Sequence, residues 1–586
     1  MSAPPSFIEF SKAMGQIRIG KAAGPDNIPA ELIIHGGVYL KTRLHTLILY
    51  MWEAKYAPGD LKNALIITIF KKGDRRLCGN YRGISLLSIA GKIIARIILN
   101  RLLILAEKIL PESQCGFRSS RGTIDMIFCA RQLQEKAREQ QKPLYLIFYD
   151  LEKAFDSVPR DAMWAVLKRF GLPDQITAMI QALHDGMTAR VIHQGDMSEE
   201  FQVTCGLKQG CVLAPTLFSF YLAAMLHEIP QDNPGVEIKY RLDGGLFNLN
   251  RLRSQRHTRN VTVNELQYAD DNACPAHSHE ELQRSVNNYF NAYTTYGMSI
   301  NKNKTKLIVQ PPPGLDVPDR NIAIGDANIE QTELFPYLGS ILSVQGTSSK
   351  DVENRIQAAY SAFGKLSSRI FRNKDLTSKT KLMVYNAIVV STLLYGCETW
   401  TLYKRDLKKL ELFHQRKLRS ILKISWMDYI TNNEVLERAG TVSIEAMIVQ
   451  HRLRWVGHVA RMEGTRLPKQ LLFGQLSTGN RPHGRPLRRY KDQLKETLKG
   501  TNINTETWET TASLRSEWRK TVKRGVDIYE DKRRTEAEAR RQRRKDRLRQ
   551  PHPAPTIQCD QCPRLFRAQI GLISHKRAFH PTHNLN

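Results

Sequence analysis

Apolar residues recur along this chain with two periods. The short runs LIITIF (65–70), LYLIFYD (144–150) and TKLIVQ (305–310) are dense in β-branched and aromatic side chains and predict strands, as does VNELQYAD (263–270). The first run is closed by the turn sequence KKGD and followed by NYRGISLLS, which predicts a hairpin with basic residues at its tip. Elsewhere the spacing is helical. K-A-A-G-P-D-N-I-P reads as a loop feeding a helix after Pro29, and RDAMWAVLKRF is bracketed by Pro159 at its start and Gly171 at its end. The most apolar stretch, IAGKIIARIILNRLLILAEKIL, carries Lys92, Arg96, Arg101 and Lys108. It therefore predicts an amphipathic helix, neither a secretion signal nor a membrane span. Beyond 350 the period is helical with no strand signal, so a mixed α and β region precedes a helical one.

Composition narrows the class of partner. At 586 residues the chain exceeds what one compact core needs, and 41% hydrophobic residues place it among folded proteins. Lys and Arg number 87 against 57 Asp and Glu, a net charge of +30 that suits a polyanion, with nucleic acid foremost. Nine scattered cysteines, an odd number, fit a reducing compartment without a disulfide framework. The charge is uneven: after the Pro/Gly/Arg break RPHGRPLRRYKD at 481, residues 532–550 hold ten Lys or Arg against three acids, reading as a solvated helix or flexible arm.

Two acidic groups stand at the ends of predicted strands: F-Y-D-L-E-K-A-F-D, with Asp150 and Asp156, and Y-A-D-D, with Asp270 and Asp271. Carboxylates at buried strand ends are costly unless paired or holding a cation, and converging carboxylates suit hard ions such as Mg²⁺. Adjacent strand residues point to opposite faces, so Asp270 and Asp271 reach one site only from the turn of a hairpin. That arrangement suits two-metal phosphoryl transfer. Asp156, just before S-V-P-R, reads instead as a turn or cap residue.

The ordered blocks K-A-A-G-P-D-N-I-P, N-Y-R-G-I-S-L-L-S, Q-C-G-F-R, F-Y-D-L-E-K-A-F-D, G-L-K-Q-G-C-V-L-A-P-T-L-F, Y-A-D-D and F-P-Y-L-G-S resemble the reverse transcriptase of LINE-like non-LTR retrotransposons over residues 21–345. LLYGCETWTL and HRLRWVGHVARM extend the resemblance into the helical region. It implies an α+β right-hand polymerase, with an N-terminal extension and the start of the fingers at 1–60, fingers and palm at 61–345, and a helical thumb at 346–425. A helical C-terminal region at 426–531, a basic linker at 532–555 and a small finger at 556–586 follow. Residue by residue, the resemblance makes Asp150, Asp270 and Asp271 the carboxylates for two Mg²⁺, with Mn²⁺ as a substitute. Phe155 becomes the gate against a ribose 2′-hydroxyl, and Lys71 and Arg82 the grip on the triphosphate of an incoming dNTP. Gln209 and Gly210 lie under the nascent base pair, and Lys304 sits near the leaving pyrophosphate, with Lys302 and Lys306 as competitors.

The partners implied are an RNA template, a DNA primer or target and dNTPs, without a membrane, acting in the nucleus after cytoplasmic synthesis. Oligomeric state is left open. Two departures are visible. Pro275, in N-A-C-P-A-H-S, removes a ladder donor from an expected hairpin strand, which favours as an alternative a decayed or repurposed nucleic-acid-binding protein. Only 23 residues precede Gly24, too few for the endonuclease domain that usually begins such proteins. An RNA-dependent RNA polymerase is opposed by Phe155, and a zinc-finger regulator leaves the seven blocks unexplained.

At the C-terminus Cys559, Cys562, His575 and His580 have the spacing C-x2-C-x12-H-x4-H, with Phe566 and Leu572 where a two-strand-plus-helix finger needs its core. This predicts tetrahedral Zn²⁺. His552 and His583 read as surface residues. The finger and the basic arm are expected to clamp template RNA or target DNA through phosphate contacts.

Overall fold

A computed structural model describes residues 1–254, 256–316, 321–479, 481–482, 487–549 and 554–580; His552 and His583 lie outside them. The predicted hairpin is present. β1 (Ala64–Phe70) pairs antiparallel with β2 (Tyr81–Leu86), and the Lys71 N–H donates to Asn80 O at 2.8 Å to close the loop at its tip. The amphipathic stretch forms α1 (Ile89–Ile109), capped by the Ser88 side chain, and α2 (Thr123–Glu139) follows. All six residues of β3 (Leu144–Tyr149) are buried. Its alternating side chains serve two cores: Leu144, Leu146 and Phe148 pack on one face, and Tyr145, Ile147 and Tyr149 on the other.

After α3 (Arg160–Arg169), β4 (Thr188–His193) runs parallel to β1 and completes the centre of the first sheet. α4 (Ala214–His227) is buried along nearly its whole length against α1. The second sheet has the order β9–β3–β8–β7, built from β7 (Leu266–Tyr268), β8 (Asp271–Ala276) and β9 (Lys306–Gln310), with α5 (His279–Thr295) between the last two in sequence.

VNELQYAD is therefore not one strand. β5 (Val236–Tyr240) pairs with β6 (Arg259–Val263), and the chain breaks before β7. At the break the Asn264 amide donates to Asn233 O at 2.6 Å and Glu265 accepts from the Tyr289 hydroxyl at 2.6 Å, so both side chains are taken by neighbours outside the ladder.

Pro275 does not interrupt its strand. Alternate residues of an antiparallel strand turn their N–H groups to opposite neighbours. Pro275 stands opposite Leu146 of β3, whereas pairing with β7 ends at Ala273. Its nitrogen faces the flank where no ladder partner remains, and β8 forms through it.

The helical region is docked through buried polar groups. Asp351, fully buried, accepts from Arg131 of α2 at 2.9 Å and from the Trp400 indole at 2.7 Å. The helices α6 (Ser349–Leu366), α7 (Lys404–Leu422) and α8 (Ile444–Arg461) follow the helical period. The expectation of no further strand fails once: β10 (Gly474–Leu476) pairs with β5, and Lys136 and Lys491 both donate to Gly474 O. Three residues are too few to leave a period-two signature. α9 (Arg515–Arg549) is one continuous helix, so the arm is helical to 549 and no helix end falls at 532. β11 (Ile557–Gln558), β12 (Leu565–Phe566) and α10 (Gln569–Phe579) form a ββα unit. No helix among the described residues is long and apolar enough to cross a membrane.

Candidate active site

Asp150 is the first residue past β3, and its backbone is fixed from the β9 side. Its N–H donates to Thr305 Oγ1 at 3.3 Å, and its carbonyl accepts from the Asn301 N–H at 2.7 Å. β7 and β8 form a tight hairpin in which Tyr268 pairs with Asp271 and Ala269 adopts φ 58°, leaving Ala269 and Asp270 as the turn. Asn272 lies opposite Tyr149, so Asp271 and Asp150 occupy the same end of adjacent strands. The structure thus brings together the three carboxylates named from the sequence.

Electrostatics bear the mark of this crowding. Asp271 is pushed up to about 6, first by burial and then by Asp270 and Asp150. Burial also raises Asp270; its own backbone N–H and Arg82 oppose the shift, and Asp150 adds to it. Both side chains are exposed at the turn; the chain packed beneath them and their mutual charge are what raise them. Lys304 Nζ lies 3.1 Å from Asp150 Oδ2. Of its competitors, Lys306 is paired with Glu330 at 2.6 Å, while Lys302 lies beside Gly325.

The turn is held by the Q-C-G-F-R block. Gln114 is fully buried, and its Oε1 accepts from the N–H groups of Gly116 at 2.9 Å and Ala269 at 3.1 Å. Cys115 N–H donates to Gln267 O, and Gln267 N–H to Ser113 O. A Cβ at Gly116 would stand 2.4 Å from Ala269 N, so only glycine allows this approach.

Phe155 is half-buried, stacked on Phe218 at 4.5 Å between centroids and edge-on to Phe117 at 6.4 Å. Packing on two sides gives it the rigidity of a wall. Gln209 donates from its amide to both oxygens of Asp156, at 3.2 and 3.3 Å. Asp156 is thus more than a turn residue, since its carboxylate orients Gln209. Burial raises the Asp156 carboxyl, while Gln209, Lys153 and Lys71 draw it down. Gly210 is pressed on β2: at φ 114° its Cβ would meet Ser85 O at 2.6 Å, so this fit to the hairpin also requires glycine. The Ser85 N–H donates to Gln209 O at 2.7 Å, so this loop is fastened to the β1–β2 hairpin. Arg82, on that hairpin opposite Ile69, is exposed and acts on Asp270; Lys71 is exposed and acts on Asp156.

In the ββα unit one ligand atom each from Cys559, Cys562, His575 and His580 lies within 4.8 Å of the others. Cys562 Sγ is 3.2 Å from His575 Nε2, and His580 Nε2 is buried with no hydrogen-bond partner. Two sulfurs, two imidazoles and an orphaned buried nitrogen make a donor set that fits Zn²⁺. Leu572 is buried and Phe566 packs on His575 at 4.8 Å, as the spacing predicts. The acidic trio is not drawn into such a compact set, and Asp150 is held aside by Lys304.

Residues 69–342 match the family described as reverse transcriptase (RNA-dependent DNA polymerase). The chain carries a reverse transcriptase domain. All three strand-end carboxylates lie within it. The chain is 26% identical to the RNA-directed DNA polymerase from mobile element jockey of Drosophila melanogaster, over 73% of this chain and 45% of that protein. It is 24% identical to the retrovirus-related Pol polyprotein from type-1 retrotransposable element R2 of Popillia japonica, over 58% of this chain and 44% of that protein. The chain therefore spans just under half the length of the curated relatives it matches. Among solved structures, apo telomerase from Candida tropicalis aligns over 72% of this chain and 69% of its own, with a TM-score of 0.35 and 12% identity. Within the reverse transcriptase domain, Gln114 and Asp156 are the positioning residues that sequence reasoning missed. Both lay inside the quoted blocks, but nothing in their spacing says which neighbour they hold.

Proposed function

We propose that this chain is the RNA-directed DNA polymerase of a non-LTR retrotransposon, extending a DNA 3′-hydroxyl along an RNA template by nucleotidyl transfer. The observation that carries this reading is the pairing of Asp150 and Asp271 at one end of adjacent strands, with Asp270 on the intervening turn and Arg82 acting on it from the facing hairpin. In this reading the first sheet and its hairpin are the fingers, the second sheet the palm, and the helices after 349 the thumb. Two Mg²⁺, or Mn²⁺, are assigned to Asp150, Asp270 and Asp271. Such a pair of ions activates the 3′-hydroxyl and neutralises the leaving pyrophosphate.

The chain's own residues supply the rest. Arg82 and Lys71 grip the triphosphate, for which the planar guanidinium suits two oxygens at once. Phe155, backed by Phe218, bars a ribose 2′-hydroxyl. Gln209, held by Asp156, supports the new base pair, and Lys304 exchanges Asp150 for pyrophosphate charge. The Cys559, Cys562, His575 and His580 set is assigned to Zn²⁺, which folds the ββα unit as a nucleic-acid clamp. The decayed-copy alternative rested on Pro275, which β8 accommodates.

The test is primer extension on RNA with dNTPs and with rNTPs. Wild type adds deoxynucleotides only, and Phe155→Ala admits ribonucleotides at least tenfold faster. Equal use of both nucleotides by the wild type would remove the gate and with it the assignment to DNA synthesis.

A further inference from the structure

A groove of about 730 Å³ runs between α7 and α9, away from the acidic strand ends, and its walls are strongly basic. Lys404, Lys408 and Arg416 line it from α7, and Lys532 and Arg540 from α9. The acids within it are already engaged. Glu411 accepts from the Ile444 N–H, Glu445 from the Tyr529 hydroxyl, and Glu536 pairs with Arg540. Lys404, Lys408, Arg416 and Lys532 have no carboxylate within ion-pair distance among the described residues, and the seven Lys and Arg of the lining outnumber its three Glu, so the groove keeps a net positive charge.

The segment just past α7 sets aromatic groups at one end of this surface. Arg419, in the groove wall, donates to Ile430 O at 2.8 Å and to Asn432 Oδ1 at 3.0 Å. This ties the 425–431 loop to the groove's rim. On that loop Trp426 is 76% exposed and Tyr429 80%, values far from those of core aromatics. Tyr429 adopts φ 51°, a conformation that side chains other than glycine seldom hold, within a short turn braced by Ser425 and Asp428. The two rings are therefore presented outward from a defined turn.

A basic groove ending in exposed aromatic rings is the combination that binds single-stranded nucleic acid, phosphates on the cations and unstacked bases on the rings. A duplex offers phosphates but no free base faces. We propose that the α7–α9 groove binds a single-stranded segment of nucleic acid, with its phosphates on Lys404, Lys408, Arg416 and Lys532 and its bases on Trp426 and Tyr429. The site is separate from the acidic strand ends and does not depend on catalysis there.

The test uses the full chain and fluorescent 20-nucleotide probes of RNA and DNA, single-stranded and duplex, with binding followed by anisotropy over a salt series. Lys404→Glu/Lys408→Glu is expected to weaken single-strand binding at least tenfold and to lower the salt slope by about 1.4, two phosphates at about 0.7 each. Trp426→Ala/Tyr429→Ala is expected to weaken single-strand binding about fivefold or more while leaving duplex binding unchanged. Lys12→Glu/Lys168→Glu, on other exposed surfaces, serves as the charge control and should bind as wild type. Relative RNA and DNA affinities identify which strand is held, and iodouracil probes should crosslink within 404–429. Unchanged single-strand binding by both groove variants, or no crosslink in that segment, would overturn the proposal. So would binding of a fluorescent polyglutamate peptide in the groove that nucleic acid fails to displace, which would make the groove a dock for acidic protein.

Discussion

The acidic site of the reverse transcriptase domain and the C-terminal Cys/His unit are both candidate metal centres, built on opposite principles. The Cys/His unit is local: its four ligands lie within 22 residues of one another, and two short strands and a helix bring them to mutual distances under 4.8 Å. The acidic site draws Asp150 and Asp271 from segments more than a hundred residues apart and depends on a buried sheet to align them. The contrast teaches where each site's stability comes from. The first should fail when its metal is withdrawn, because so small a unit has little core of its own. The second should keep its shape whatever its carboxylates hold, because β3 is buried on both faces.

The sharpest break in the comparison is chemical. Asp270→Asn and Asp271→Asn should each lower primer extension by about a thousandfold or more, with melting temperature held or raised, as expected when a metal carboxylate is lost without disturbing the sheet. Zinc chelation, or Cys562→Ser, should do the reverse: hydrogen exchange should show residues 556–580 losing protection while extension on a short primer stays within twofold.

Between these extremes lies pH. Burial and its two acidic neighbours raise Asp271 to about 6, so protons compete with the assigned metal for this carboxylate and extension should fall as pH drops below 6, least at saturating Mg²⁺. Stability moves the other way. A carboxyl raised by folding destabilises the native chain while charged, and that cost is relieved as pH falls through 6. Asp271→Asn should therefore melt higher than wild type at pH 8, with the difference shrinking below pH 6 and closing only as pH nears the ordinary carboxylate value of about 4.

Positioning residues give smaller effects. Gln114→Ala leaves the Gly116 and Ala269 N–H groups without their acceptor, at about 1–3 kcal/mol for each that stays buried. It should lower kcat about ten- to a hundredfold with little change in KM, and Gln114→Glu should recover part of it, since a carboxylate still accepts both bonds. Asp156→Ala frees Gln209 and should raise KM for dNTPs only a few-fold; an equal loss in kcat would give Asp156 a larger part than holding one amide.

Much of this was legible in the chain. The 65–86 hairpin, β3, the 89–109 helix and the clustering of two cysteines with two histidines all follow from local periodicity or spacing, which are properties of neighbours in sequence. Strand geometry places Asp270 and Asp271 on a hairpin turn; the turn is there and holds Asp270, while Asp271 is the first residue of β8 opposite Tyr268. What escaped was long-range. Gln114 looks like any polar residue in a loop until Ala269, 155 positions away, is set against it. Pro275 looked disruptive because the side of the strand its nitrogen faces depends on where β7 ends. β10 is too short to leave a pattern, and nothing local shows that Gly210 packs on β2, 125 positions earlier in the chain.

The most direct measurement is single-turnover extension of a DNA primer on an RNA template in Mg²⁺, with template binding followed in the same samples, for wild type and Asp270→Asn. The account predicts equal binding by both proteins and nucleotide addition by the wild type alone. Tight binding without addition by the wild type, or undiminished addition by Asp270→Asn, would contradict it.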